Sequence, residues 1–228
     1  MSFTPGFVPL PVNEEQAALI SRIDHTLLSP TAVWEDYQTL CEEALAYHTA
    51  SVCIPPSRIS RVHATWPELT ICTVVGFPNG YTTRDIKVSE AKDAMQRGAT
   101  EIDTVINRND VKDGNYRAIL AELKELRKTT TGAILKVIVE TCDLTEDEKI
   151  RLCELVTEAG CDYIKTSTGF GSHGAKVEDI ELFAKHIGPN VKIKAAGGIH
   201  TVDEARSLLQ AGADRLGSSS LLGAILAM

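Results

Sequence analysis

The sequence predicts an α/β fold, a single (β/α)8 TIM barrel with an N-terminal extension, on three observations. Eight short runs rich in β-branched and aliphatic residues recur along the 228 residues, and polar segments with a helical pattern alternate with them. That alternation is the pattern of a parallel sheet covered by helices, and a chain of this length suits a closed barrel. The competing open doubly wound sheet usually has fewer strands and a glycine-rich turn after the first of them, whereas the first run here is followed by LLSPTAV.

The elements are read in chain order. ISRIDHT (20–26) is the first strand, and TAVWEDYQTLCEEALAYH (31–48) returns as an amphipathic helix. ASVCIP (50–55) and TICTVVGF (70–77) are the second and third strands, followed by the helix RDIKVSEAKDAMQRG (84–98). EIDTVI (101–106) leads to YRAILAELKELRKTT (116–130), and ILKVIVE (134–140) leads to TEDEKIRLCELVTEAG (145–160). YIKTST (163–168) precedes VEDIELFAKHIG (177–188), and VKIKAAG (191–197) precedes VDEARSLLQAG (202–212). RLGSS (215–219) closes the set, with a final helix after it. Several helices stop at a glycine, a common C-terminal signal. Thr145 with Glu148, and Thr201 with Glu204, have the spacing of an N-cap and its acidic first turn. Nothing divides the chain, so residues 1–228 read as one domain. Within it, residues 1–19 form an extended Pro- and Gly-bearing arm and a cap helix that starts in NEEQAALI.

Hydrophobic residues make up 43% of the chain and charged residues 24%, enough for a substantial core. A net charge of −8 argues against nucleic acid or an anionic membrane as partner. No run of 18 apolar residues is present and no basic-then-apolar leader opens the chain. The six cysteines form no CxxC pair, and the histidines show no HxH or HExxH spacing. The expectation is free buried thiols in a reducing, cytoplasmic setting, with no metal site.

Alternate residues of a barrel strand point to the interior. Asp103 shares a face with Glu101 and Val105, and Lys136 with Ile138 and Glu140. Lys165 shares one with Tyr163 and Ser167, and Lys194 with Lys192. Four neighbouring strands therefore aim ionisable groups into one barrel, near the strand C-termini where barrel active sites lie. Burying charge costs several kcal/mol unless it is paired, so such a set points to function over accident. A lysine is nucleophilic only as the free amine, and desolvation or a neighbouring ammonium favours that form. Lys194 is the expected neighbour and Asp103 the expected proton carrier for an imine-forming Lys165. Cys53 has no evident histidine partner and reads as a packing thiol; His25, His173, Trp34 and Trp66 read as packing or loop residues.

TSTGFGS, AAGGIH and GSSS supply glycines and hydroxyls directly after strands six to eight. Loops in that part of a barrel commonly hold phosphate. On the residues alone the chain is an aldolase working through a Schiff base on a small phosphorylated molecule. A different phosphorylated sugar, or a non-catalytic barrel that only binds sugar phosphates, remains open at this point.

The chain also resembles the deoxyribose-phosphate aldolase family of class I aldolases. The resemblance rests on IDHTLL (23–28), ASVC (50–53), VVGFP (74–78), EAKDA (90–94), EIDTVIN (101–107), LKVIVET (135–141), DYIKTSTGF (162–170), KAAGGIHT (194–201) and RLGSSS (215–220), in order through all eight strands. It implies reversible cleavage of 2-deoxy-D-ribose 5-phosphate to D-glyceraldehyde 3-phosphate and acetaldehyde, without cofactor or metal, by a homodimer. It gives Lys165 the Schiff base, Lys194 the second lysine and Asp103 the proton relay. Asp24, Cys53, Lys136 and Thr168 fall to the sugar, and Gly169, Gly197, Gly198, Ser219 and Ser220 to the phosphate. Three positions depart from the family pattern: Ser29 where lysine is frequent, Pro55 where asparagine is common, and His200 where arginine is frequent. The last thins a cationic fringe beside the phosphate.

Overall fold

The computed structural model describes residues 7–228. The expected extended arm falls partly on residues 1–6, outside the described residues. In chain order the elements are α1 (Glu14–Ile20), β1 (Ile23–Thr26), α2 (Trp34–Tyr47), β2 (Ser51–Ile54), α3 (Ile59–Thr65), β3 (Ile71–Val75), α4 (Arg84–Gln96), β4 (Glu101–Val105), α5 (Arg108–Lys112) and α6 (Tyr116–Thr129). There follow β5 (Ile134–Ile138), α7 (Glu146–Glu158), β6 (Tyr163–Lys165), α8 (Val177–His186), β7 (Lys192–Ala196), α9 (Val202–Gln210), β8 (Arg215–Ser218) and α10 (Leu221–Leu226). Each strand pairs in parallel with the next, and β8 pairs with β1, so the sheet closes.

The two faces of the sheet have opposite chemistry. Ile102, Leu135, Val137, Ile164, Ile193 and Leu216 are buried in the hydrophobic layer between strands and helices. Each such side chain contributes about 1.5–3 kcal/mol by leaving water. Their sequence neighbours Glu101, Asp103, Lys136, Lys165 and Lys194 are also buried, but on the interior face. Helices complete the apolar layer through one stripe each. In α6, Ile119, Leu123 and Leu126 recur at i, i+4 and i+7 and are buried. Thr145 and Thr201 cap α7 and α9 in reciprocal capping boxes with Glu148 and Glu204, as their spacing predicts.

Departures from the expected boundaries have local causes. Ile20 belongs to α1, whose own capping box joins Asn13 and Gln16, so β1 starts three residues later than expected. The sixth strand is only three residues long. Beyond it the Thr166 hydroxyl donates to the Ala196 carbonyl at 3.2 Å and accepts from the Ala196 N–H at 3.1 Å, so a side chain replaces the ladder where the backbone turns away. Residue 87, on the buried face of α4, is a lysine with no exposed surface; it donates to Glu122 on α6 at 2.7 Å and ties the two helices together. The short helices α3 and α5 were not expected.

Candidate active site

Strand register decides which charges meet. Asp103 on β4 lies opposite Lys136 on β5; Lys165 on β6 lies opposite Lys194 on β7, which in turn lies opposite Arg215 on β8. Lys165 Nζ and Lys194 Nζ each donate to Asp103 Oδ2 at 2.7 Å. The other oxygen of Asp103 accepts from Lys136 Nζ at 3.0 Å and from the Cys72 thiol at 3.2 Å. Lys194 also pairs with Asp24 Oδ2 at 2.5 Å, and Lys136 bonds Glu101. Asp24 Oδ1 accepts from Ser51 Oγ at 2.7 Å and from Arg215 at 2.6 Å. All eight strands thus contribute to one buried network around three carboxylates.

Burial alone would raise the pKa of Asp103, but the ammoniums of Lys136 and Lys194, with the hydrogen bond from Lys165, outweigh it and hold the carboxyl well below its usual range. Burial opposes ionisation of Asp24 in the same way, and Lys194, Lys136 and Arg215 overcome it to depress that pKa. For Lys136 and Lys194 burial would favour the free amine. The carboxylates around them, Asp103 first, prevail and push both well above the ordinary lysine value. Both aspartates are therefore carboxylates, and these two lysines ammoniums, across the neutral range.

Lys165 is the member of the network that opens upward. It lies in the wall of a cavity of about 490 Å³ at the C-terminal end of the strands, which Thr168, Gly169, Gly197, Gly198, His200 and Ser219 also line. Gly169, Gly197 and Gly198 have φ of +87°, +80° and +70°. At Gly197 the constraint is steric as well: a Cβ there would sit 3.1 Å from the Gly174 Cα and 3.3 Å from the Gly169 Cα, where the loops after β6 and β7 cross. Residues 169–174 read GFGSHG, which has the glycine spacing of a dinucleotide turn. It follows β6 and does not open a helix, since α8 begins only at Val177, so the fingerprint's context is missing.

Glu140, just beyond β5 and at φ +59°, fixes the loop after β6. Its carboxylate accepts from the Thr168 N–H at 3.2 Å and from the Thr168 hydroxyl at 2.5 Å. That hydroxyl in turn accepts from the Phe170 N–H at 3.0 Å. Phe170 packs edge-on against Phe77, their centroids 5.4 Å apart, at the cavity rim.

The residues given to the sugar separate into two groups. Thr168 is in the cavity wall, with its hydroxyl proton already engaged by Glu140. Asp24, Cys53 and Lys136 have no exposed surface and lie outside that wall, in the layer beneath. Cys53 packs with Cys72 and Val74 against Leu28 and Phe77. Of the residues given to the phosphate, Gly169, Gly197, Gly198 and Ser219 line the cavity; Ser220 is exposed and outside that lining, its hydroxyl 3.1 Å from His200 Nδ1. His25 is buried against Glu43 at 2.8 Å, and Trp34 stacks on Trp66. Glu140, Arg215 and Ser218 received no role from sequence. Ser218 Oγ donates to the Ile199 carbonyl at 2.7 Å and accepts from the Ser220 and Leu221 N–H groups, tying the last two loops together.

Donor atoms of Cys53, Cys72 and Asp103, and of Asp24, Cys72 and Glu101, cluster closely enough to hold an ion. The three carboxylates are already bound by Lys136, Lys165, Lys194 and Arg215, so a cation there would face ammonium and guanidinium groups. The donor set does not fit a metal. All six cysteines are free thiols, and burial pushes Cys41, Cys153 and Cys161 up to about 12, far from a reactive thiolate. Among the described residues no helix is long and apolar enough to cross a membrane.

A closed parallel barrel with a lysine in its C-terminal cavity, backed by a carboxylate and a second lysine, defines the class of lysine-dependent barrel aldolases. The chain belongs to the DeoC/LacD family of aldolases, whose model matches residues 18–226. It is 54% identical over 208 residues to the deoxyribose-phosphate aldolase of Clostridium botulinum (strain Eklund 17B / Type B), covering 91% of this chain and 94% of that one. To the deoxyribose-phosphate aldolase of Clostridioides difficile (strain 630) it is 51% identical over 204 residues, covering 89% and 93%. Among solved structures it superposes on the tetrameric deoxyribose phosphate aldolase of Aeropyrum pernix with a TM-score of 0.86 and 31% identity, over 93% of this chain and 91% of that chain.

Proposed function

We propose that the protein is a class I aldolase that reversibly cleaves 2-deoxy-D-ribose 5-phosphate to D-glyceraldehyde 3-phosphate and acetaldehyde, with Lys165 as the imine-forming residue. One observation carries the assignment of Lys165. The network joins four cationic side chains (Lys136, Lys165, Lys194, Arg215) to three carboxylates (Asp24, Glu101, Asp103). With every group ionised one positive charge is left over, and an uncompensated buried charge costs several kcal/mol. Lys136 contacts three carboxylates and Lys194 two, whereas Lys165 contacts one and shares its oxygen with Lys194. Lys165 is the least compensated and reaches the cavity, so the surplus proton leaves most cheaply there, and the free amine is the nucleophile the chemistry needs.

In the cleavage direction the Lys165 amine adds to the C1 aldehyde to give a carbinolamine, which loses water to form an iminium. Removal of the C3 hydroxyl proton, relayed through Asp103 and Lys194, turns that oxygen into a carbonyl. The C2–C3 bond breaks and its electron pair moves into the iminium, giving an enamine and D-glyceraldehyde 3-phosphate. Protonation at C2 and hydrolysis then release acetaldehyde and restore the amine. The iminium is the electron sink, so the step needs no metal. Backbone N–H groups around Gly169, Gly197 and Gly198 suit the phosphate, because successive N–H groups in a turn make an anion-binding concavity. Asp24, Cys53 and Lys136 act from beneath, holding Lys194 and Asp103 in place.

The same reading includes a cytoplasmic homodimer, supported by the free thiols and by the family resemblance, and tested by light scattering. The chemical test is borohydride reduction in the presence of acetaldehyde, followed by peptide mapping. An adduct on Lys165 is expected. A folded protein that forms none, or one at another residue, rejects the assignment, and an adduct without cleavage of deoxyribose 5-phosphate transfers the activity to another phosphorylated sugar.

A further inference from the structure

Among the four cations of the network, Arg215 stands apart from the three lysines. It lies at the N-terminal end of β8, at the base of the barrel, and takes no part in the cavity wall. Its guanidinium donates to Asp24 Oδ1 at 2.6 Å and approaches Glu101 at 3.4 Å. Asp24 passes the contact to Lys194 at 2.5 Å, and Lys194 to Asp103 at 2.7 Å, on the oxygen that Lys165 also uses. A guanidinium does not lose its proton in this range, so its charge is fixed. Without it, three lysines would face three carboxylates, and every lysine could stay protonated with the network neutral.

We infer that Arg215 is a positioning residue for the imine chemistry: its fixed charge at the base of the barrel, acting through Asp24 and Lys194, keeps Lys165 in the amine form. The inference rests on Lys165 being the nucleophile. The groups facing the network are Asp24 from β1, Cys53 from β2, Cys72 from β3, Glu101 and Asp103 from β4, Lys136 from β5, Tyr163 and Lys165 from β6, Lys194 from β7 and Arg215 from β8. Lys192 on β7 also approaches the Tyr163 ring, at 5.9 Å, but is exposed. Its charge is hydrated and does not substitute for a buried one.

The experiment measures trapping of acetaldehyde on Lys165 by cyanoborohydride, across about pH 6 to pH 10, in the whole protein; the apparent midpoint belongs to the coupled network. In Arg215→Met the midpoint is expected to move up by about one pH unit or more, so that trapping is about tenfold slower at neutral pH and recovers in alkali. Glu101→Gln, which removes a negative charge, is expected to move it down. The double variant restores a surplus of one and returns the profile towards wild type, and Arg215→Lys keeps it. Circular dichroism and thermal melting establish that each variant is folded. A folded Arg215→Met that traps equally less at every pH, or whose midpoint stays put, overturns the inference. If that variant does not fold, an unmoved or raised midpoint in Glu101→Gln does so instead. Failure of the underlying reading is a separate result, namely a wild-type protein that forms no adduct on Lys165.

Discussion

Lys165 and Lys194, register partners on neighbouring strands, donate at 2.7 Å to one and the same oxygen, Asp103 Oδ2. A carboxylate in that position holds two amino groups together and offers a path for a proton between them. Asp103→Asn keeps the shape but replaces the charge and puts an amide N–H donor against one or more of the amino groups. Loss of a positioned proton carrier costs about 10²–10⁴ in rate, so kcat should fall at least about a hundredfold. Steady-state cleavage of deoxyribose 5-phosphate checks this; retention of kcat within about threefold would remove Asp103 from the mechanism.

The same pairs make stability depend on pH at both ends of the scale. Asp24 and Asp103 have folded pKa values below their ordinary ones. Their contribution is therefore complete above about pH 4, the unfolded value, and is lost as pH falls through the lower folded value. Lys136 and Lys194 are raised instead, so their contribution holds below about pH 10.4 and is lost in alkali beyond it. The melting temperature should show a plateau between these limits. Asp24→Asn should lower the plateau, since breaking a buried pair costs about 3–5 kcal/mol, and should flatten the acid limb. An acid limb as steep as wild type would show that Asp24 does not titrate in unfolding.

Glu140 carries a third prediction. It holds both the N–H and the hydroxyl of Thr168, and so shapes the cavity wall without being in it. Glu140→Ala leaves two buried polar groups without that partner, a loss of about 1–3 kcal/mol for each unsatisfied group. A lower melting temperature is expected, with a raised KM and kcat changed much less. Equal losses in kcat and kcat/KM would instead place Glu140 at the reacting atoms.

How much of this could be read from the chain depends on the range of the interaction. The barrel was legible because each strand carries its own alternation, and the caps of α7 and α9 because Thr145 and Thr201 stand three residues from their glutamates. The inward set was legible for the same reason: period two on EIDTVI, ILKVIVE and VKIKAAG names Asp103, Lys136 and Lys194 directly. Arg215 obeys that period on RLGSS, but a lone arginine at a strand start also reads as a solvated end. Its pairing with Asp24 joins residues 191 positions apart across the barrel seam. Glu140 and Ser218 escaped because their work is loop geometry. A left-handed glutamate holding a loop 28 residues on leaves no local pattern. The depth of Asp24, Cys53 and Lys136 below the cavity follows from barrel stagger, which a one-dimensional reading does not contain.

His200 offers a last prediction. Among the residues lining the cavity, the side chains able to carry positive charge are Lys165 and His200. With Lys165 committed as an amine, the imidazole is the cationic side chain left for a phosphate dianion. It is exposed, its Nδ1 lies 3.1 Å from Ser220 Oγ, and Glu204 accepts from its backbone N–H at 2.9 Å. A guanidinium carries a fixed charge and grips phosphate with two parallel donors, which an imidazole does not offer. His200→Arg should therefore lower KM for deoxyribose 5-phosphate by about three- to tenfold at pH 8, a gain of the order of one charge-assisted contact at an exposed site. It should leave kcat unchanged and have no effect on unphosphorylated deoxyribose. The comparison of the two substrates locates the effect: an equal gain for both would mean that residue 200 shapes the sugar site, and no gain for either would place the phosphate away from it.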